Sequence, residues 1–131
     1  MQNFLVAGLI NIETTLKVDS FLIQYYRVHF PFFGINSNIS GVGYNVAKAL
    51  VTLGNNVDFA AMIGQDMAGQ LVKETLIKDR VPSQLVLDPL THTPQSVILF
   101  DKYGKRQIHV DLKDIQERSY PATTFEQVQN A

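Results

Sequence analysis

The 131-residue sequence contains no cysteine and no tryptophan. Without cysteine there is no disulfide framework and no thiolate metal site, a composition that suits a reducing compartment and also occurs in exported proteins. An excess of either charge is missing too: eleven Lys and Arg stand against twelve Asp and Glu, a net charge of −1. That balance offers no footprint for a phosphate backbone or an anionic bilayer, so neither nucleic acid nor membrane is an expected partner. Nor does any run approach the roughly 20 apolar residues of a membrane-spanning helix. The opening MQNFLVAGLI has no basic start and reaches Gly8 after a few apolar positions. It reads as a first strand and not as a secretion signal, which makes a cytoplasmic protein the expectation. Internal repeats and low-complexity tracts are absent as well. With 46% hydrophobic and 18% charged residues, the chain has the material for one domain with a core and too little length to promise two.

What is present follows an α/β rhythm. Phe4 to Ile10 is a near-continuous apolar run, as in a central strand buried on both faces of a parallel sheet. Val46, Ala49, Leu50 and Leu53 recur at helical spacing, and Gly54 stands where a left-handed residue would end that helix. Val57 to Ile63 reads as a second buried strand, giving strand, crossover and strand. Asp66 is placed to cap a helix with Leu71, Val72, Leu76 and Ile77 on one face, and Pro82 bars its extension. Phe21 to Phe33, crowded with aromatic and β-branched residues and broken by Pro31, fits an exposed or edge strand. Ser96 to Phe100 and Gln107 to Leu112 flank a turn at Lys102 to Lys105, a hairpin with Val97, Leu99, Ile108 and Val110 expected on one face. Thr123 to Gln127 reads as a cap and helix start.

Three groups of residues are candidates for chemistry. Asn11 and Glu13 follow the first strand, where open α/β sheets place ligands, and two residues apart on an extended chain they point the same way. Together they suit adjacent hydroxyls of a polyol, or else a solvated loop that turns the chain. Gly41, Val42, Gly43 and Asn45 form the second group. As a dinucleotide fingerprint it fails, because Val46 occupies the third glycine position and GINSNIS before it is no hydrophobic strand. Backbone amides at a helix start facing a polar ligand, with Asn45 fixing its orientation, and a helix start needing glycine for sterics alone both remain open. The third group, His29, His92 and His109, has no metal-ligand spacing, and His109 alternates outward on the hairpin.

Gly8 with Asn11-Ile12-Glu13, then SGVGYNVAKALVTLG from Ser40, then the turn from Ile63-Gly64-Gln65-Asp66 to Gly69 form an ordered set running from about Phe4 to Leu112. The set resembles the ribokinase-like (PfkB) family of carbohydrate and nucleoside kinases. The resemblance implies the N-terminal portion of a three-layer α/β/α domain carrying a small β-sheet lid, with lid strands at about 17–38 and 95–112. It implies substrate contacts from Asn11, Glu13, Gly41, Val42, Gly43 and Asn45 to a sugar or nucleoside, whose hydroxymethyl group receives phosphate from ATP. A homodimer paired through the lid is implied as well. Two departures bear on the substrate: Glu13 stands where the family commonly has aspartate, and Ser40 where it has a second glycine. The family's Gly-Ala-Gly-Asp motif, its magnesium-associated acidic motif and its nucleotide strands do not occur within residues 1–131. The sites for ATP and Mg2+ are therefore expected outside this chain, which reads as a truncated or split kinase portion, inactive alone. A non-catalytic sugar-binding or interaction module derived from such a kinase is the alternative. Either way an uncovered sheet edge is expected to favour association.

Overall fold

The computed structural model describes residues 1–123 and Glu126. Of the helix start expected at Thr123 to Gln127, Thr124, Phe125 and Gln127 lie outside the described residues. The elements run β1 (Asn3–Ala7), β2 (Asn11–Lys17), β3 (Ile35–Ser40), α1 (Val42–Thr52), β4 (Asn56–Gly64), α2 (Met67–Lys78), β5 (Val86–Leu90), β6 (Gln95–Phe100) and β7 (Arg106–Asp111). They form two sheets, a parallel one in the order β1-β4-β5 and a second in the order β3-β2-β6-β7.

β4 is the strand around which the parallel sheet is built. Its alternate residues Val57, Phe59, Ala61 and Ile63 are buried against Tyr44 and Ala47 of α1 and Val72 and Leu76 of α2, so both helices cover the same face. Period-two alternation with β-branched and aromatic side chains explains why this segment is a strand and why that face is apolar. The expectation that the first apolar run is central is corrected here. β4 takes the centre because it pairs with β1 on one side and β5 on the other, and β1 is left as an edge with Phe4 39% and Leu5 45% exposed. The run is also divided: Gly8 to Ile10 leaves the strand, and Ile10 is fully buried in the connection.

An edge strand with one side unpaired and apolar side chains exposed is a template for another chain. We therefore expect the 131-residue polypeptide to sediment as a species larger than the monomer, and Leu5→Lys to shift it toward the monomer. A single monomeric boundary for the unsubstituted chain would overturn this.

The helices hold to their caps more closely than to their expected faces. Asp66 caps α2 by accepting from the Gly69 amide at 2.8 Å. Val72 and Leu76 are buried as expected, whereas Leu71 and Ile77 face outward. In α1 the buried positions are Gly43, Tyr44 and Ala47, with Leu50 and Val51 packed beside them; Val46, Ala49 and Leu53, expected inside, are exposed. The face that meets the sheet is set by Gly43, Tyr44 and Ala47, so the expected stripe is turned partly away from it. Tyr44 fixes the rotation by donating its hydroxyl to Asp79 at the end of α2, with Lys48 3.8 Å from the same carboxylate. Burial, then the bond to Asp79 and its charge, push the Tyr44 phenol well above its ordinary pKa, so it stays a neutral donor.

The second sheet differs most from expectation. Its first pair of strands is β2 with β3, in register from Asn11 opposite Ser40 to Leu16 opposite Ile35, and no strand lies within Phe21 to Phe33. Polar INSNIS is a strand because β2 pairs along its whole length, which overrides the low strand propensity of Asn and Ser. β2 also pairs with β6 in parallel, and β6 with β7 in the expected hairpin. The side chains of the hairpin, however, fall on faces other than those expected. Val97 sits opposite His109, and Ile98 opposite Ile108, so Val97 and Leu99 share a face with His109 and Gln107, while Ile108 and Val110 share the other with Ser96 and Ile98. Asp101 sets this parity: its carboxylate accepts from the amides of Tyr103 and Lys105, each at 2.9 Å, closing a loop that leaves Phe100 opposite Arg106. One residue of register exchanges the two faces completely.

Candidate functional site

Strand register brings the two candidate groups together. Asn11, the first residue of β2, lies opposite Ser40, the last of β3, and Gly41 follows at once as the N-cap of α1. Asn11 therefore stands at the start of α1, although thirty residues separate it from Gly41 in sequence. Glu13 lies on the same face of β2, opposite Asn38 on one side and Ser96 on the other.

The glycines at this junction are required by the backbone itself. Gly41 has φ 108°, and a Cβ there would sit 2.4 Å from the Leu9 carbonyl oxygen. A Cβ on Gly43 would sit 2.7 Å from the Gly8 carbonyl carbon. The chain at Gly8 to Ile10 thus crosses directly beneath the first turn of α1, and the Tyr44 amide donates to the Leu9 carbonyl at 3.2 Å. Of the two readings open from sequence, steric need is satisfied in full. Room for a ligand must come from the other side of the turn, where Val42 is 77% exposed and where the first amides of a helix have no partner within the helix, that of Tyr44 being already bonded to Leu9.

Asn11 is the residue whose chemistry is incomplete. It is 5% exposed, and its Nδ2 donates to the Ser96 hydroxyl oxygen at 3.3 Å. Its Oδ1 is buried with no hydrogen-bond partner among the described residues. A buried acceptor without a donor costs about 1–3 kcal/mol, and a hydroxyl delivered by a ligand would remove that cost. Ser96 was not singled out in the sequence. The available signal was a small polar residue in the otherwise apolar run Ser96 to Phe100, placed inward at 7% exposure. Glu13 is half-buried and Asn45 is exposed on α1.

A second polar cluster holds the frame. Asp66 accepts from the Thr93 amide at 2.9 Å and the Thr93 hydroxyl at 2.7 Å, in addition to the Gly69 amide. Thr93 Oγ1 in turn accepts from the Gly64 amide at 3.0 Å. The end of β4, the start of α2 and the connection into β6 are thereby tied to one carboxylate. Partial burial raises the Asp66 pKa, but the bonds from Thr93 and Gly69 outweigh it and hold the carboxyl below its ordinary value.

The Gly41 to Gly43 turn follows β3, an antiparallel strand of the second sheet. It does not open a crossover helix after a parallel strand, so the context of a dinucleotide fingerprint is not met. The fold and the site instead define an α/β unit in which a separate four-stranded sheet rises from the helix start beside the parallel sheet, the arrangement of ribokinase-like proteins. The chain belongs to the pfkB family of carbohydrate kinases, whose model matches residues 1–131. No curated protein sequence matches it. Among solved structures, Arabidopsis thaliana ribokinase complexed with ribose and ATP is similar at TM-score 0.78 and 19% identity, over 97% of this chain and 42% of that one. A microbiome-derived acarbose kinase is similar at TM-score 0.78 and 18% identity, over 98% and 42%. Thermotoga maritima ribokinase is similar at TM-score 0.66 and 27% identity, over 82% and 35%. The chain thus spans about two-fifths of the length of the first two.

Proposed function

We propose that residues 1–131 form the acceptor-holding and lid portion of an ATP-dependent carbohydrate or nucleoside kinase that phosphorylates a hydroxymethyl group. The orphan Oδ1 of Asn11 carries the reading: it is a buried acceptor at a helix start, placed for a ligand hydroxyl. In this reading Asn11 takes one hydroxyl, the Glu13 carboxylate takes a neighbouring pair, and Asn45 with the first amides of α1 donates to a further oxygen. Ser96 acts through Asn11 by fixing its amide. The second sheet serves as the lid, excluding water so that the acceptor hydroxyl and not water meets the phosphoryl group. The cofactors are ATP and Mg2+. No group of three or more His, Asp or Glu side chains suited to a metal gathers among the described residues, so the donors present do not fit Mg2+ and no step is derived through it. Transfer needs charge neutralisation and a proton acceptor as well as positioning, and residues 1–131 alone are proposed to bind without transferring. Pairing of two lids in a homodimer and a cytoplasmic setting belong to the same reading. No described helix is long and apolar enough to cross a membrane.

Calorimetry of the 131-residue chain against ribose, hexoses and nucleosides is the test. We expect saturable binding of at least one, weakened about tenfold or more by Asn11→Ala, which corresponds to roughly 1.4 kcal/mol. The thermal midpoint of that variant should not fall by much, since the substitution also removes an unsatisfied acceptor. Absence of saturable binding by every compound would overturn the proposal.

A further inference from the structure

We infer that the inner face of the lid accommodates a chain of linked sugar units and not only one; the inference rests on the sugar-binding reading above. The pairs Asn11 with Ser40, Glu13 with Asn38 and Thr15 with Asn36 follow one another on the same face of β2 and β3. All six side chains carry hydrogen-bonding groups, and only Glu13 is charged. Neutral amides and hydroxyls match the donors and acceptors of a polyol, and the run ends at Lys17, the next residue of β2 on this face. On β6 and β7 the same face carries Ile98, which is buried, and Ile108 and Val110, 57% and 53% exposed, with Ser96 at one end and Arg106 at the other. The strip of amides and hydroxyls thus lies beside an apolar stretch, the same division that a sugar ring shows between its hydroxyl edge and its C–H face.

The length of the strip favours several units. From Asn11 to Thr15 the strand advances about 13 Å, which is longer than one ring. At its far end the Asn36 Nδ2 donates to the Phe33 carbonyl at 3.3 Å, tying an aromatic pair to the strip. Phe32 and Phe33 pack edge to face with centroids 4.6 Å apart, and each is 86% exposed. Exposed rings at the end of a hydroxyl-binding strip offer flat apolar surface for a terminal sugar.

Matched pairs test this: glucose with maltotetraose and fructose with nystose, titrated into the full 131-residue chain. In at least one pair the tetrasaccharide should bind about tenfold or more tightly than its monosaccharide. Phe32→Ala and Asn38→Ala, both at exposed positions, should each lower tetrasaccharide affinity about fivefold and leave monosaccharide affinity unchanged. Equal affinity within both pairs overturns the inference while leaving the sugar site standing, and binding of no saccharide removes both. If Phe32→Ala leaves tetrasaccharide binding intact and instead reduces the sedimenting mass, the aromatic pair is a contact between copies of the chain and the inference fails.

Discussion

Gly43→Ala is expected to lower stability by about 3 kcal/mol and the thermal midpoint by roughly 10 °C. The added methyl would lie 2.7 Å from the Gly8 carbonyl carbon and 2.8 Å from its Cα. Both are backbone atoms, so no rotamer change relieves the contact; α1 or the Gly8 to Ile10 connection has to move. Either movement disturbs the fully buried Ile10 and the Tyr44 amide bond to Leu9. Gly54→Ala supplies the comparison. Gly54 has φ 88° but open space around its Cβ position, so its cost is limited to the left-handed backbone, about 1–2 kcal/mol. Thermal and urea unfolding of the two variants side by side should rank Gly43→Ala clearly below Gly54→Ala. Equal midpoints would show that the crossing is looser than its geometry.

Asp66→Ala should cost about 3 kcal/mol at neutral pH, from the loss of a helix cap and of two further charge-assisted bonds whose donors are left partly buried. The effect carries a pH signature. Because the folded Asp66 carboxyl titrates below its ordinary value of 3.8, its contribution is fully present above that value. It fades as pH falls through the lower, folded pKa. The gap between wild type and variant should thus be constant from neutral pH to about pH 5 and narrow below pH 4. Urea midpoints measured across that range give the answer, and a gap that widens on acidification would refute the assignment. Asp66→Asn should recover part of the loss, since one oxygen remains to accept while its amide faces a donor.

These two positions also show what was legible in the sequence. Asp66 was readable as a cap because capping is local: residue type, spacing and the following apolar positions all lie within one turn. Thr93, its second partner, is 27 residues away and carries no local mark. β4 was legible because burial on a parallel sheet imposes its own pattern, and the left-handed Gly54 because the end of a helix calls for one. β3 was not, since its polar sequence is suited to the face it presents and only pairing with β2 makes it a strand. Phe21 to Phe33 misled in the opposite sense, having strand-forming residues but no partner strand. Asn11 and Glu13 were found from their two-residue spacing, which holds on any extended chain. Their meeting with Gly41 depends on a register that spacing cannot report.

That register has a mechanical consequence. The second sheet is attached to the rest of the molecule through four crossings: Gly8 to Ile10 before β2, Gly41 after β3, Thr91 to Pro94 before β6, and the chain after β7, where Asp114 accepts from the Thr91 amide and Tyr120 donates to the Leu85 carbonyl. The first two touch each other at Gly8 and Gly43, and the third is clamped by Asp66. The tightest of these attachments is at the residues that open α1, so a tilt of the sheet has its fulcrum there. If the sheet serves as the proposed cover, its opening and a turn of the helix start become one displacement, and a molecule held at Asn11 and the first turn of α1 would sit at the pivot, where a swing of the strand tips moves it least.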